Sequence, residues 1–322
     1  PDDIAAVDSL IAIHRGETQW GELVEMLGQK ASLLEAVEDQ KSLLLEAGAI
    51  AAQQMGDPTE AIRVYERVLD LDPSEMLALD ALALRYEETE AWDDLVRILE
   101  RKISLIDELD ERKVLAQEVA SVQEFQLEDL DAAVETHRQV LTWDPEDLAE
   151  LSALEELLTK SERWSEILDV LDTQVALVEF EARKELQLRK ASILKEKLTD
   201  TAAAIRMLET VLNGEPAEER AQNALELIVQ TSDDREAAFA VLQPNLKASE
   251  QWFRIYALLD VLVAERDDPH ARIQGLHEMG SIAELQLGEP TRAFACYGRA
   301  VQQDLEHDAS MDAVERLASE HT

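Results

Sequence analysis

Apolar residues recur along this chain in amphipathic segments with the spacing of one helix face. The segment AIRVYERVL (61–69) returns in pattern at 133–141, 204–212 and 293–301, each time opening on alanine. Apolar positions three and four residues apart are typical of a helix that buries one face. The pattern predicts helices over 39–56, 58–70, 74–89 and 92–107, with the same order recurring through 110–178, 181–213 and 269–304.

The turns between these segments carry helix-capping residues. Gly56 ends one predicted helix, and Asp57 and Pro58 supply the N-cap and first residue of the next. Aspartate caps the first backbone N–H groups, and proline fits the first turn because its missing N–H is not needed there. The turn recurs as Gly288-Glu289-Pro290. The chain therefore reads as short helices joined by tight turns.

Tryptophan and proline mark a long repeat. The positions are Trp20, Trp92 and Trp164 at intervals of 72 residues, Trp252 after a further 88, and Pro73, Pro145 and Pro216 at intervals of 72 and 71. Such a period predicts a solenoid with four helices per period, in which each unit buries its apolar face against its neighbours. The regular spacing favours packing between repeats over a ligand cage as the role of tryptophan.

The longer final interval predicts one additional helix. Aligning 157–164 with 245–252 places helix 234–248 where helix 146–161 stands and leaves 217–231 as the addition. We expect the alternation of inner and outer helices to change there and Pro244 to kink its helix. The additional helix is either a joint that redirects the stack or an insertion that the solenoid simply tolerates. The predicted organisation is a regular array over 1–213, an irregular insertion with an extra helix over 214–251, and C-terminal repeats with a capping helix over 252–322.

Composition supports an all-helical fold and restricts the partners. Aromatic residues make up only 4% of the chain, and ten glycines and eight prolines suit helix better than sheet. The formal charge of −40, from 70 acidic and 30 basic residues, repels nucleic acid and anionic membranes. Basic proteins or peptides are the expected partners. The alternative is that the acidic surface only keeps the helical stack in solution.

The sequence assigns no compartment. Cys296 is the only cysteine, so no intramolecular disulfide forms. No apolar run approaches the ~18 residues of a membrane span, and no signal peptide with a basic leader is present. Because the first residue is Pro1 and not Met, we expect a fragment or processed chain whose targeting signal lies outside it.

No residue pattern indicates catalysis, a cofactor or a metal. His137 aligns with Tyr65 and Tyr297 at a packing position, and His277-Glu278 lacks the second histidine of the zinc-protease helix. Cys296 has no feature of an activated nucleophile. Phosphate-binding glycine loops, Gly-x-Ser-x-Gly elbows and Cys-x-x-Cys pairs are missing from the sequence. We expect a protein that is not an enzyme.

The repeated residues resemble the tetratricopeptide repeat family. The repeated unit is a 34-residue helical hairpin with alanine where its two helices cross. Tyr65 or Tyr297 stands four residues after this alanine, and Pro73, Pro145 or Pro216 closes the unit. The resemblance covers nearly the whole chain, and the alternation of 34- and 38-residue units resembles long acidic bacterial arrays of this family. It implies an all-α, right-handed α-solenoid of stacked antiparallel hairpins, with about 18 helices.

The resemblance also implies a concave groove that holds a partner peptide or protein. The matching positions are Leu43, Glu46, Ile50, Leu115, Glu118, Val122, Phe125, Leu186, Arg189, Ile193, Lys197, Glu278 and Ile282, together with Leu285. Glutamates stand where some members of the family bind a C-terminal carboxylate with basic residues, so that mode is disfavoured. The cationic stretch around Arg189 and Lys197 either faces the groove or pairs with Glu185 and Glu196.

Two functions follow from these expectations. In the first, the chain is a non-catalytic scaffold that binds a protein or peptide, through a basic amphipathic segment, in the groove. In the alternative, it is a structural segment of a larger protein or filament that stacks head to tail, because heterologous interfaces that do not close build filaments.

Overall fold

The computed structural model describes residues 3–320, and this range contains eighteen α-helices and no strand. The helices are α1 (Ile4–Gly16), α2 (Trp20–Leu33), α3 (Val37–Ile50), α4 (Pro58–Leu71), α5 (Met76–Glu88), α6 (Trp92–Leu105), α7 (Leu109–Phe125), α8 (Leu130–Trp143), α9 (Leu148–Lys160), α10 (Trp164–Leu177), α11 (Phe180–Glu196), α12 (Thr201–Gly214), α13 (Glu219–Thr231), α14 (Arg235–Ala248), α15 (Trp252–Glu265), α16 (Pro269–Leu285), α17 (Pro290–Gln303) and α18 (Asp308–Glu320). A π-helical turn (Ala51–Met55) extends α3. The predicted all-α class with about eighteen helices is confirmed.

Eight of the turns between helices contain one residue in the left-handed region, and these eight turns fall into two classes. In one class this residue stands two positions before the tryptophan that begins the next helix: Thr18, Glu90, Glu162 and Glu250, with φ between 54° and 56°. In the other it precedes the N-cap of α4, α8, α12 or α17: Gly56, Glu128, Thr199 and Gly288. The left-handed residue ends one helix and redirects the chain into the next.

Aspartate caps recur with the period. The Asp57 side chain accepts a hydrogen bond from the N–H of Glu60 at 3.1 Å, as predicted. Asp129 and Asp200 cap α8 and α12 in the same way. Glu289, at the fourth equivalent position, makes no such bond to α17. The caps explain why these helices begin where they do.

The chain divides into two compact units, residues 1–161 and 162–322. In the N-terminal unit, consecutive helices pack against one another around buried leucines such as Leu27, Leu79 and Leu99. Arg67 of α4 donates to the Gly28 carbonyl of α2 at 3.3 Å, which joins two even-numbered helices. The odd-numbered helices are joined by ion pairs. Helical hairpins are therefore stacked in two layers.

Lysines that are largely covered by protein join successive odd-numbered helices. Lys41 of α3 contacts Asp72 at 2.6 Å and Glu75, the N-cap of α5, at 3.0 Å. Lys113 makes the same contacts to Asp144 and Asp147, at 2.5 and 2.8 Å. The hydrogen bond from Lys41 is the main cause that lowers the pKa of Asp72 to about 2. Because each lysine has two carboxylate partners, these joints fix how neighbouring hairpins stack.

Small residues on α3 and α16 match large residues on the helices that follow them, α4 and α17. A Cβ on Gly48 of α3 would lie 2.6 Å from the Tyr65 ring, and a Cβ on Gly280 of α16 would lie 2.5 Å from the Tyr297 ring. Where the equivalent ring position holds a smaller residue, as at Leu208, the helix opposite carries alanine, as at Ala191. Glycine therefore occupies the positions where the tyrosine ring fills the space that a Cβ would need.

We predict that Gly280→Ala destabilises the C-terminal unit by about 1–3 kcal/mol, because overpacking costs that much in a well-packed core. The double variant with Tyr297→Leu recreates the Ala191 and Leu208 pair and should recover part of the loss. Denaturant unfolding with hydrogen exchange of the α16 amides measures both. Gly298→Ala is the matched control, since nothing lies within 4 Å of its added Cβ and alanine stabilises a helix by up to about 1 kcal/mol. Equal effects at the two glycines would contradict the packing argument.

The C-terminal unit contains the helices expected at the insertion. The predicted helices 217–231 and 234–248 correspond to α13 and α14, and α14 runs through Pro244. Here α12 packs against both α13 and α14, and α13 packs also against α15. In the rest of the described chain the main contacts join helices consecutive in sequence.

The two helices share the features of one regular helix. α13 begins as α5 does, because Lys184 contacts its N-cap Glu218 at 3.3 Å as Lys41 contacts Glu75. α14 ends as α5 does, with left-handed Glu250 two residues before a tryptophan. The added helix therefore lies inside one hairpin of the pattern. A change of superhelix path at this segment, and the division at 213/214 and 251/252, stay predictions.

Candidate interaction surface

The exposed faces of α5 and α7 combine apolar and acidic side chains. On α5, exposed Leu77 and Leu84 flank exposed Asp80. On α7, exposed Val114 is followed one turn later by exposed Glu118. Large apolar side chains on the solvent side of an amphipathic helix are not needed for folding. These two helices therefore present a surface suited to a partner that is itself both apolar and charged.

A cavity of about 480 Å³ opens between α5, the turn from α6 to α7, and the first turns of α7. Its apolar lining is Met76, Ile106, Val114 and Leu115, and its charged lining is Asp80, Lys102, Asp110 and Glu111. Leu115 is one of the predicted groove residues. The sequence patterns did not identify the other seven.

Only some of the charged residues that line the cavity form ion pairs. Lys102 contacts Asp80 at 2.8 Å, and only 15% of the lysine side chain is exposed. Asp110 and Glu111 lie in the first turn of α7, where negative charge stabilises the helix start. No ion pair to either is found within the described residues. The mouth of the cavity therefore has an excess of negative charge.

The three predicted groove glutamates differ in their neighbours. Glu46 forms an ion pair with Arg15, and Glu278 accepts from Gln243 at 2.9 Å and from Lys247 at 3.1 Å. Each of these partners precedes its glutamate by 31 or 35 residues. At the equivalent position before Glu118 stands another acid, Glu87.

Glu118 is therefore in an unusual electrostatic setting. Partial burial raises the pKa of Glu118, the negative charge of Glu87 adds to the rise, and Lys102 opposes it. A carboxylate that lies close to another carboxylate is stabilised by a cation that approaches it. Among the predicted groove glutamates, Glu118 is the best placed to receive a cationic side chain from a partner.

The remaining groove positions of the N-terminal unit have mixed exposure. Leu43 and Ile50 are half-buried against the core, and Val122 is buried, so it presents little surface to a partner. Phe125 is 65% exposed, and the Lys160 ammonium lies 5.9 Å from the centre of its ring. Phe125 thus stays available at the end of α7.

In the C-terminal unit the predicted positions are less suited to binding. Ile193 and Ile282 are buried and Leu186 is half-buried. Arg189 is exposed, and Lys197 lies 4.7 Å from the centre of the Trp164 ring.

Two observed ion pairs involve this cationic stretch and its neighbour Glu185. Lys190 of this stretch pairs with Asp172, and Glu185 pairs with Arg220 at 2.6 Å. The partners come from neighbouring helices, where no rule of local helix spacing applies. The observed contacts hold the helices together.

Three histidines and the cysteine lie among packed side chains. His137 contacts buried Glu150, and His277 and His307 both contact buried Ser310, at 2.9 and 2.8 Å. Cys296 is buried. Among residues 3–320, no group of three or more His, Cys, Asp or Glu is arranged to hold a metal ion. No helix in that range is long and apolar enough to cross a membrane.

Known proteins were compared at the level of sequence and fold. Residues 44–76 match the family model of the tetratricopeptide repeat. No curated protein gives a significant match to the sequence.

Solved structures match the chain at low identity and with TM-scores of 0.40 or less. One is the structure of Naa15/Naa10 bound to HypK-THB, at 13% identity and a TM-score of 0.40, where the match covers 99% of this chain and 61% of that chain. This chain thus spans less than two thirds of that one. A second is YrrB, titled a TPR protein with an unusual peptide-binding site, at 15% identity and a TM-score of 0.30, with 56% and 90% covered. A third is a tetratricopeptide repeat protein from Parabacteroides merdae, at 14% identity and a TM-score of 0.24, with 98% of each chain covered.

The matched segment 44–76 contains the second half of α3, the turn through Gly56, α4 and the closing Pro73. These are the elements that recur along the sequence with the same period as the tryptophans. Residues 44–76 thus match one tetratricopeptide repeat, a motif of generally non-catalytic scaffolds for protein interaction.

Proposed function

We propose that this scaffold binds a basic, amphipathic segment of a partner protein on the exposed face of α3, α5 and α7. The observation that carries the proposal is the mixture of exposed apolar and acidic side chains on α5 and α7, with Glu118 beside a second acid. Such a face complements a segment with apolar and cationic residues on one side.

The distribution of charge supports this location. Residues 1–161 contain 39 acidic and 13 basic residues, a net charge of −26. Residues 162–322 contain 31 acidic and 17 basic residues, a net charge of −14. A field of this sign accelerates the encounter with a cationic segment and repels an anionic one. The N-terminal unit is therefore the favoured binding region.

The test uses a synthetic amphipathic peptide of leucine and lysine and its counterpart with glutamate in place of lysine. We expect the lysine peptide to bind the full chain and its affinity to fall on the order of tenfold between about 0.1 M and 1 M salt, because the Debye length shrinks from about 10 Å to about 3 Å. Glu46→Lys with Glu118→Lys should weaken binding by a similar factor. Fluorescence anisotropy measures each affinity.

The matched control is the same charge change on even-numbered helices. Asp70 of α4 and Glu100 of α6 are exposed, and their replacement by lysine should slow association but leave dissociation nearly unchanged. Equal binding of the glutamate peptide, or equal effects of the two pairs of reversals, would show that the acidic surface serves only solubility.

Head-to-tail assembly is the second candidate function, and the same samples distinguish it from partner binding. A stacking segment grows into rods as concentration rises, because heterologous interfaces extend without closing. Light scattering that shows one particle size at all concentrations excludes it. Growth of rods in the absence of peptide supports assembly over the scaffold function.

A further inference from the structure

We propose that the cavity between α5 and α7 is an anchoring pocket for one apolar side chain of a partner segment that carries lysine or arginine close to that anchor. This inference rests on the proposed function and specifies its central contact. The cavity volume of about 480 Å³ lies in the range of about 300–1,000 Å³ in which ligand pockets fall. It is large enough to enclose a leucine, methionine or phenylalanine side chain.

The lining of the cavity selects an apolar occupant. Met76, Ile106, Val114 and Leu115 present apolar atoms to it, and Val114 is 63% exposed. Burial of this exposed surface by a partner is favourable in proportion to the apolar area removed from water. Lys102, the one cation of the lining, is already paired with Asp80. An anionic occupant would therefore meet no free positive charge.

The charges around the cavity select a cationic flank. Asp110 and Glu111 stand at its mouth, and Glu118 follows Leu115 by three residues, or about 4.5 Å along the axis of α7. A lysine or arginine one helical turn from the anchor reaches these carboxylates when the anchor is seated. A second copy of this chain, with a net charge of −40, is a poor occupant because its field is repelled. An anionic membrane is excluded by the same argument.

The experiment fills the pocket in the full chain. Val114→Trp places a large ring in the cavity, and we expect binding of the leucine and lysine peptide to weaken on the order of tenfold, as for the loss of a hydrophobic pocket contact. Leu148→Trp is the matched control, because Leu148 is also an apolar residue on an odd-numbered helix, 41% exposed, and lies on α9, outside both the proposed binding face and the cavity lining. The control should change affinity less than twofold.

A second measurement locates the anchor. A peptide with a photoreactive leucine analogue should crosslink to residues 76–80 and 106–115. Replacing the peptide's anchor leucine by alanine should weaken binding to the native chain but have little further effect on Val114→Trp, because both changes remove one contact.

The outcomes separate this inference from the proposed function. Salt-dependent binding with crosslinks elsewhere, or with equal effects of both tryptophan substitutions, overturns the pocket and leaves the scaffold function intact. If the lysine peptide fails to bind at any salt concentration, both are rejected. Crosslinks at the cavity together with selective loss in Val114→Trp support the pocket.

Discussion

His137→Leu should destabilise the N-terminal unit by about 3–5 kcal/mol, the cost of leaving a buried charge without its partner. Glu150 is 1% exposed. Its carboxylate accepts from His137 Nδ1 at 2.5 Å and from Gln117 Nε2 at 3.2 Å. Without the histidine, the carboxylate stays in the protein interior with only the neutral amide as its partner, and a buried polar group with too few partners costs free energy.

The third copy of the repeated pattern, which begins at 204, shows which second substitution should offset the loss of His137. The positions equivalent to His137 and Glu150 are Leu208 and Ala221, both buried. The double variant His137→Leu with Glu150→Ala recreates this apolar pair and should lie within about 1 kcal/mol of the native chain, because replacing both partners of a buried polar pair is far less costly than removing one.

Hydrogen exchange of the α7 to α9 amides, alongside denaturant unfolding, is the measurement, because repeat arrays unfold in local steps. The α16 and α17 amides lie in the other compact unit and serve as the internal control. A single variant as stable as the native chain, or a double variant less stable than the single one, would contradict the argument.

The helices and their caps are predictable from the sequence because they depend on local chemistry. Asp57, Pro58 and the left-handed Gly56 act within four residues of one another. The apolar period assigns the buried face in the same way. The long repeat marked by tryptophan and proline then places equivalent elements along the chain without any knowledge of tertiary contacts.

The ion pairs that join successive odd-numbered helices of the N-terminal unit are not predictable from local spacing, because each partner lies on or just before the neighbouring odd-numbered helix. Arg15 and Glu46, Lys41 and Asp72, and Lys113 and Asp144 share one sequence separation, |i−j| = 31. A search of the sequence for opposite charges at this separation, recurring with the tryptophan period, would have found these joints. It would also have shown that Glu118 faces an acid where Glu46 faces a base.

The cavity is not predictable from the sequence patterns either, for a different reason. Ile106 lies in the turn between α6 and α7, and its contribution depends on the path of that turn. Val114 was detectable as an apolar residue on a helix face otherwise occupied by Asp110, Glu111 and Glu118. An apolar residue on a solvent-facing stripe is a signal for binding only when the neighbouring helix completes the surface.

Trp92→Ala should cost about 2–3 kcal/mol and uncouple α5 and α6 from the rest of the N-terminal unit, somewhat less than the roughly 3–5 kcal/mol of a fully buried tryptophan. Trp92 begins α6 and packs, half-buried, against the core. Its partial exposure means that truncation leaves an indentation that water can enter and not a closed cavity. Sequence periodicity predicts the packing role but not this degree of exposure.

The loss should stay local because the stability of a repeat array is nearly a sum over neighbouring units. Hydrogen exchange should accelerate in α5 and α6 before it does in α1, and unfolding should become less cooperative. Phe125→Ala is the matched control, since this aromatic residue at the end of α7 is 65% exposed and its loss should change stability by less than about 0.5 kcal/mol. If the two aromatic truncations have equal effects, or if Trp92 fluoresces in the native chain as it does in water, the regular tryptophans do not hold the hairpins together. Their regular spacing would then indicate contacts with a binding partner at the surface and not with the core.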